Sequence, residues 1–253
     1  MSTATPYRWN TNAAAEAFDK AAQFIHPLFL EIQQLILDQL PFDTDAAFLA
    51  VDLGGGSGRL IERILTEFPN ARAANVDQSE AFLAIAERRL QSFGDRAVFI
   101  HRRLQDDWPT ELPIAPQAIV SMSAIHHLEP TEKRALYERC YEVLAPGGVF
   151  INGDEYRPDS DADYLAALVR WADHKEAATA AGQIPPSFAA TFEHWYDRNI
   201  RRFGQPKHSG DDCHETIAAQ QQYLEGAGFT HTEIAWQREM WGLLIGRKLP
   251  GEM

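Results

Sequence analysis

Residues 51–59 read Val-Asp-Leu-Gly-Gly-Gly-Ser-Gly-Arg, an apolar run that ends in a glycine loop and continues at once into an amphipathic stretch. A strand that turns through glycine straight into a helix opens a βαβ unit, since parallel strands are joined by long crossovers that are usually helical. Glycine supplies positive φ or close backbone approach at such a turn, and the helix start offers unpaired N–H groups. The segment therefore predicts a parallel sheet with a ligand cradled where its first strand ends.

The rest of the chain agrees with that architecture. Strand-like runs at 48–53, 71–77, 97–101, 118–122 and 149–153 alternate with helical patterns at 58–68, 80–93 and 131–144. Such alternation means a parallel sheet covered by helices on both faces. Residues 12–40 carry apolar positions at helical spacing, with Pro27 dividing the run into two helices of an N-terminal cap over 1–45. Between 156 and 207 no clear strand is found, only two amphipathic helical patterns separated by Gly182, Pro185 and Pro186, which reads as an inserted helical lid. A helix over 212–225 and a hairpin from 229–236 and 240–247 return the chain to the core, which therefore comprises 46–155 and 208–253.

Composition sets the class. The 253 residues are 45% apolar and 11% aromatic, enough for a sizeable core, and the formal charge of −13 argues against the basic stripe that nucleic acids require. Two distant cysteines, no basic and apolar leader within residues 1–10 and no membrane-length apolar run predict a reduced, cytoplasmic, soluble protein without a membrane partner.

The glycine spacing narrows the ligand. A dinucleotide fingerprint counted from Gly54 and Gly56 needs glycine where Arg59 stands, and counted from Gly56 and Gly58 it needs glycine at Ile61. The residues instead form acidic-x-Gly-x-Gly-x-Gly, with Asp52, Gly54, Gly56 and Gly58. This resembles motif I of the class I S-adenosylmethionine (SAM)-dependent methyltransferases, and the Leu-x-Pro-Gly-Gly turn at residues 144–148 is also common there. The resemblance covers 48–155 and 212–248. It implies a doubly wound, mostly parallel seven-stranded sheet with an antiparallel last strand, SAM as cofactor with S-adenosylhomocysteine as product, and methyl transfer to O or N of a small metabolite.

Site residues follow from strand ends, because ligands of open α/β sheets bind outside the carboxyl ends of the strands. Asp77 closes the second strand and is expected on the ribose; its alternative use as a helix cap is open to Ser79 instead. Asp52, Gln78 and Ser121 should lie nearby. The third strand departs from the family pattern, leaving Asp106 or backbone near Leu104 for the adenine, against a plain solvated turn. After the fourth strand come His126 and His127, each either a general base or a structural histidine. Asp154, Glu155 and Tyr156 follow the fifth strand, as substrate ligands or solvated surface. In the lid, Trp171 and Trp195 belong to stripes that read as helix-to-helix core or as an aromatic wall over substrate. His208, Asp211, Asp212, Cys213 and His214 match no standard zinc spacing, Asp211 or Asp212 reads as a helix cap, and no metal is expected. Rival readings are other chemistry on SAM, a tRNA acceptor, or a SAM-binding regulator without turnover. A monomer or homodimer fits each of them.

Overall fold

The computed structural model describes residues 10–251; the first nine residues of the expected cap, and most of the segment read for a leader, lie outside them. Thr11 caps α1 (Asn12–Ile25) through its hydroxyl, and after the break at His26 and Pro27 the chain resumes as α2 (Phe29–Asp38). Then follow β1 (Leu49–Leu53), α3 (Arg59–Glu67), β2 (Arg72–Asp77), α4 (Glu80–Leu90), β3 (Ala97–His101), β4 (Ala118–Met122), α5 (Pro130–Val143) and β5 (Val149–Glu155). The lid holds α6 (Asp161–Ala180) and α7 (Ala189–Tyr196), the latter running on through a π-turn, Asp197–Arg201. Finally α8 (Ile217–Ala227), β6 (His231–Arg238) and β7 (Trp241–Arg247) close the chain.

The seven strands lie in the order β3-β2-β1-β4-β5-β7-β6, all neighbours parallel except β7, which is antiparallel to both β5 and β6. Strand residues alternate between two cores. Ala50, Val120 and Ile151 face a layer containing Ile32, Ile61, Ala86 and Leu168. Val51, Ile119 and Phe150 face one containing Leu136, Tyr137 and Leu224. The central strands β1, β4 and β5 are thus buried on both faces, which is why these runs read as continuously apolar. A third cluster joins cap and lid: Ala17, Ala21 and Ile25 pack with Phe82, Ile184 and Phe188. Cap and lid therefore form one roof beside the sheet, set against α4.

Two boundaries that bear on the site move. The helix expected over 212–225 starts at Ile217, because the Thr216 hydroxyl accepts Ala219 N–H and caps it, while Asp212 is engaged elsewhere. The fifth strand extends to Glu155, so Asp154 and Glu155 are strand residues and not loop residues. Among the described residues, no helix is long and apolar enough to cross a membrane.

Candidate active site at the strand ends

β1 has β2 on one side and β4 on the other, so the chain order reverses there and a crevice opens at the carboxyl ends. Gly54, Gly56 and Gly58 all take positive φ, at 71°, 52° and 78°. A Cβ on Gly54 would stand 2.4 Å from the Ala124 side chain, which holds the glycine loop against the loop after β4. Gly56 N–H donates to Asp77 Oδ2 at 3.0 Å, and Ser79 N–H to Asp77 Oδ1 at 2.7 Å, while the Ser79 hydroxyl caps α4. Asp77 is thereby fixed under the loop and is not itself the cap. Asp52 is buried against Gly55, where a Cβ would meet its carboxylate at 2.7 Å.

Two carboxylates stand here with backbone amides and few other partners. Burial, and then the charge of Asp77, push the Asp52 carboxyl up to about 8. Burial also lifts Asp77 to about 6, against the lowering pull of the Ser79 and Gly56 amides. Both acids therefore favour a ligand that brings positive charge.

The other expected cofactor residues are placed as follows. The Gln78 carbonyl faces His101 Nε2 at 3.0 Å, and the buried Ser121 hydroxyl donates to Leu53 O at 2.8 Å, tying β4 to β1. The Leu104 carbonyl accepts from Arg139 at 2.9 Å. Asp106 is held in its own turn by Arg103 at 3.0 Å, an arrangement that commits it to local pairing.

Beyond β4 lies a cluster drawn from distant segments. His126 is buried; its Nδ1 lies 2.6 Å from Asp154 Oδ1 and 2.8 Å from Glu155 Oε2, and its backbone N–H donates to Asp154 Oδ2. Glu155 Oε1 is 3.0 Å from His26 Nδ1, so the break between α1 and α2 also closes on this cluster. Burial alone would lower His126, but the charges of Glu155 and Asp154 overcome it and hold the imidazole well above its ordinary range. Glu155 is likewise pulled well below its range by His126, against burial, whereas at Asp154 burial prevails and raises it. His127 Nδ1 lies 3.3 Å from Asp212 Oδ1 and 3.1 Å from Asp211 O, and Asn199 donates to Asp212 Oδ2 at 2.8 Å.

Thus Asp154 and Glu155 are neither solvated surface nor direct substrate ligands. Both are fully buried against His126, and Glu155 also accepts from the Ser123 hydroxyl at 3.1 Å. Tyr156 turns into the core, its hydroxyl accepting from Asn152 at 3.1 Å, and is corrected from substrate ligand to packing residue. Trp171 and Trp195 pack edge to face with ring centroids 5.1 Å apart, and Trp171 Nε1 donates to Ile25 O. Lys175 Nζ sits 3.8 Å and 3.3 Å from their ring centres, so this part of the stripe is core closed by a buried cation. Sequence reasoning passed over His26, Asn75 and Asn199. Asn75 Nδ2 donates to Gly56 O at 3.0 Å and is placed by the register of β2, which no local motif reveals.

Between the lid and residues 211–215 lies a cavity of about 260 Å³, lined by Tyr164, Arg157, Asn199, Lys207, Asp212 and His214 among others. Tyr164 Oη is 2.6 Å from His214 Nδ1, and burial, then the charge of His126, lower His214 to about 3. Of the lid aromatics, Tyr164 and Phe203 are the ones that meet open space here.

Known proteins resemble the chain in part of its sequence and in its fold. A family model described as a methyltransferase domain matches residues 51–150. Trans-aconitate 2-methyltransferase of Acidovorax sp. (strain JS42) is 33% identical over 99 residues, which is 39% of this chain and 35% of that enzyme. The chain thus spans about a third of the length of such curated relatives. An O-methyltransferase family protein from Burkholderia thailandensis superposes with a TM-score of 0.63 at 16% identity, over 98% of this chain and 65% of that one. Human N-acetylserotonin methyltransferase, solved in complex with SAM, gives 0.59 at 16% identity, over 95% and 57%. At these identities the likeness is one of fold.

Proposed function

We propose that this chain, whose residues 51–150 match a methyltransferase-domain family model, is a class I SAM-dependent methyltransferase that binds SAM and transfers the methyl group to O or N of a small metabolite. The observation that carries the reading is Asp77, held by Gly56 N–H beneath a loop of positive-φ glycines, at the crevice where β1 and β4 diverge. Its carboxylate retains acceptor capacity for both ribose hydroxyls. Asp52 and Asp77, both raised by burial, favour the cationic sulfonium and ammonium of SAM over the pyrophosphate of a dinucleotide.

Bound SAM supplies an electrophilic methyl carbon, so the protein's part is chiefly alignment, worth up to about 7–11 kcal/mol, with proton removal adding about 10²–10⁴-fold. The cavity beside the cluster sets the acceptor's size, and about 260 Å³ suits a small metabolite and not a macromolecule. Tyr164 and Phe203 cover it and exclude water, while Arg157 and Lys207 offer cations to a polar acceptor. His126, His127 and Asp212 assist loss of the acceptor's proton as the methyl group arrives. Asp154 and Glu155 position His126, and Leu104 offers its backbone N–H to the adenine, its carbonyl being held by Arg139 and the Asp106 carboxylate by Arg103.

Calorimetric titration with SAM, S-adenosylhomocysteine and NAD tests the cofactor. Binding of the first two without NAD is expected, followed by turnover in a screen of small acceptors with labelled methyl. NAD binding without the adenosyl compounds would overturn the reading. Cofactor binding with no turnover on any acceptor would leave a regulator.

A further inference from the structure

We infer that His126, His127 and Asp212 form a binding site for one divalent transition-metal ion, beside the acceptor cavity. One atom from each residue comes together, all within 4.8 Å of one another, from two segments far apart in sequence. His126 Nε2 stands 3.9 Å and His127 Nδ1 3.3 Å from the same oxygen, Asp212 Oδ1. Ligands at metal distances of about 2.0–2.2 Å stand about 3.0–3.4 Å apart, so His127 Nδ1 already stands at that separation from Asp212 Oδ1, and His126 Nε2 must close by about half an ångström. Two imidazoles and one carboxylate leave further positions open for substrate, and suit Mn²⁺, Fe²⁺, Co²⁺ or Zn²⁺ better than Mg²⁺ or Ca²⁺.

The surroundings carry the inference beyond three neighbouring side chains. The far nitrogen of His126 is gripped by Asp154 at 2.6 Å and Glu155 at 2.8 Å, which leaves Nε2 directed at Asp212. A carboxylate behind an imidazole is the usual orienting partner of a metal-bound histidine. Asp212 is oriented in the same way, its second oxygen held by Asn199 at 2.8 Å. Three buried carboxylates thus converge on one spot, a field that favours a cation. His214 adds an independent sign: its ring lies 5.2 Å from that of His126, and its buried Nε2 has no hydrogen-bond partner. Asp212 and His214 both line the cavity, so an acceptor oxygen or nitrogen placed there reaches the ion as a further ligand. In this form the inference rests on the proposed methyl transfer, and it assigns the proton-loosening role of the cluster to an ion.

The test is calorimetry on the chelator-treated 253-residue chain titrated with Mn²⁺, Zn²⁺ and Mg²⁺. About one equivalent of Mn²⁺ or Zn²⁺ is expected, with Mg²⁺ at least about tenfold weaker. His127→Ala and Asp212→Asn should each lower affinity at least about tenfold, and Asp154→Asn about 10–100-fold. Absence of saturable binding, or wild-type affinity in both ligand variants, overturns the site. If those variants do not fold, Co²⁺-loaded wild type decides: imidazole coordination in X-ray absorption supports the site, and an oxygen-only shell overturns it. SAM titrated in parallel separates the two readings, since failed SAM binding with intact metal binding removes the methyltransferase reading alone.

Discussion

The two halves of the crevice are built on different principles. On the β1–β2 side the groups proposed for the cofactor are backbone amides and two acids, all within residues 52–79, and the glycine loop imposes their geometry. On the β4–β5 side the site consists of side chains from His26, residues 126–127, residues 154–155 and residues 199–214, held by one another. Local chain geometry suffices to position backbone, whereas converging side chains need the whole fold. The first half is therefore preorganised by sequence neighbours, and the second only after cap, lid and sheet have assembled.

The contact between the halves is the sharpest place to break this contrast. Gly54→Ala adds a methyl group 2.4 Å from the Ala124 side chain at a residue with φ of 71°. Overpacking and left-handed strain together should cost about 3 kcal/mol, or about 6–12 °C in Tm, and should impair SAM affinity and turnover together. A calorimetric scan near wild type would show that the two loops are not locked there. Asp77→Ala acts on one side alone. Losing charge-assisted hydrogen bonds worth about 2–3 kcal/mol, it should weaken SAM binding about 30–150-fold in a titration, with the β4–β5 cluster intact.

That contrast also explains what could be read from the sequence. The glycine loop, Asp77, the alternation of elements and the break at Pro27 all lie in short windows, and the sheet observed is the one those windows imply. Asp154 and Glu155 read as loop carboxylates because Gly153 looks like a strand end. In the fold the strand continues, since Asp154 and Glu155 pair in register with Gly242 and Trp241 of β7. Trp171 and Trp195 share a helical stripe whether they line a cavity or a core, and only the buried Lys175 between them separates the cases. Asp212 resembled a helix cap until Thr216 proved to cap α8. His26 gave no sign beyond standing next to Pro27.

Asp154→Asn tests the second half by itself. Asparagine keeps the size of the side chain and one hydrogen bond to His126 but removes the charge. Turnover should fall about 10–100-fold while SAM affinity stays within a factor of about two. Equal losses in affinity and turnover would mean that the cluster supports the cofactor loop as well, and that the halves are not independent.

The smaller of the two expected Tm effects separates the halves by charge. Acids of the β4–β5 side have imidazole partners, whereas Asp52 is raised from 3.8 to about 8 by burial and then by Asp77. Between those values the folded protein binds a proton that the unfolded chain has released. The stability contributed by this group is therefore whole below about pH 4 and is lost as pH rises through 8. Asp52→Asn removes the titration and the repulsion on Asp77. Between pH 6 and pH 8, ligand-free wild type should lose roughly 5–9 °C in Tm relative to this variant, by differential scanning calorimetry. Saturating SAM should shrink the gap, because a bound cation favours both carboxylates in their ionised form. Parallel Tm curves for wild type and variant would show that Asp52 is ionised throughout, and the preference of this half for a cationic ligand would then rest on Asp77 and the glycine loop alone.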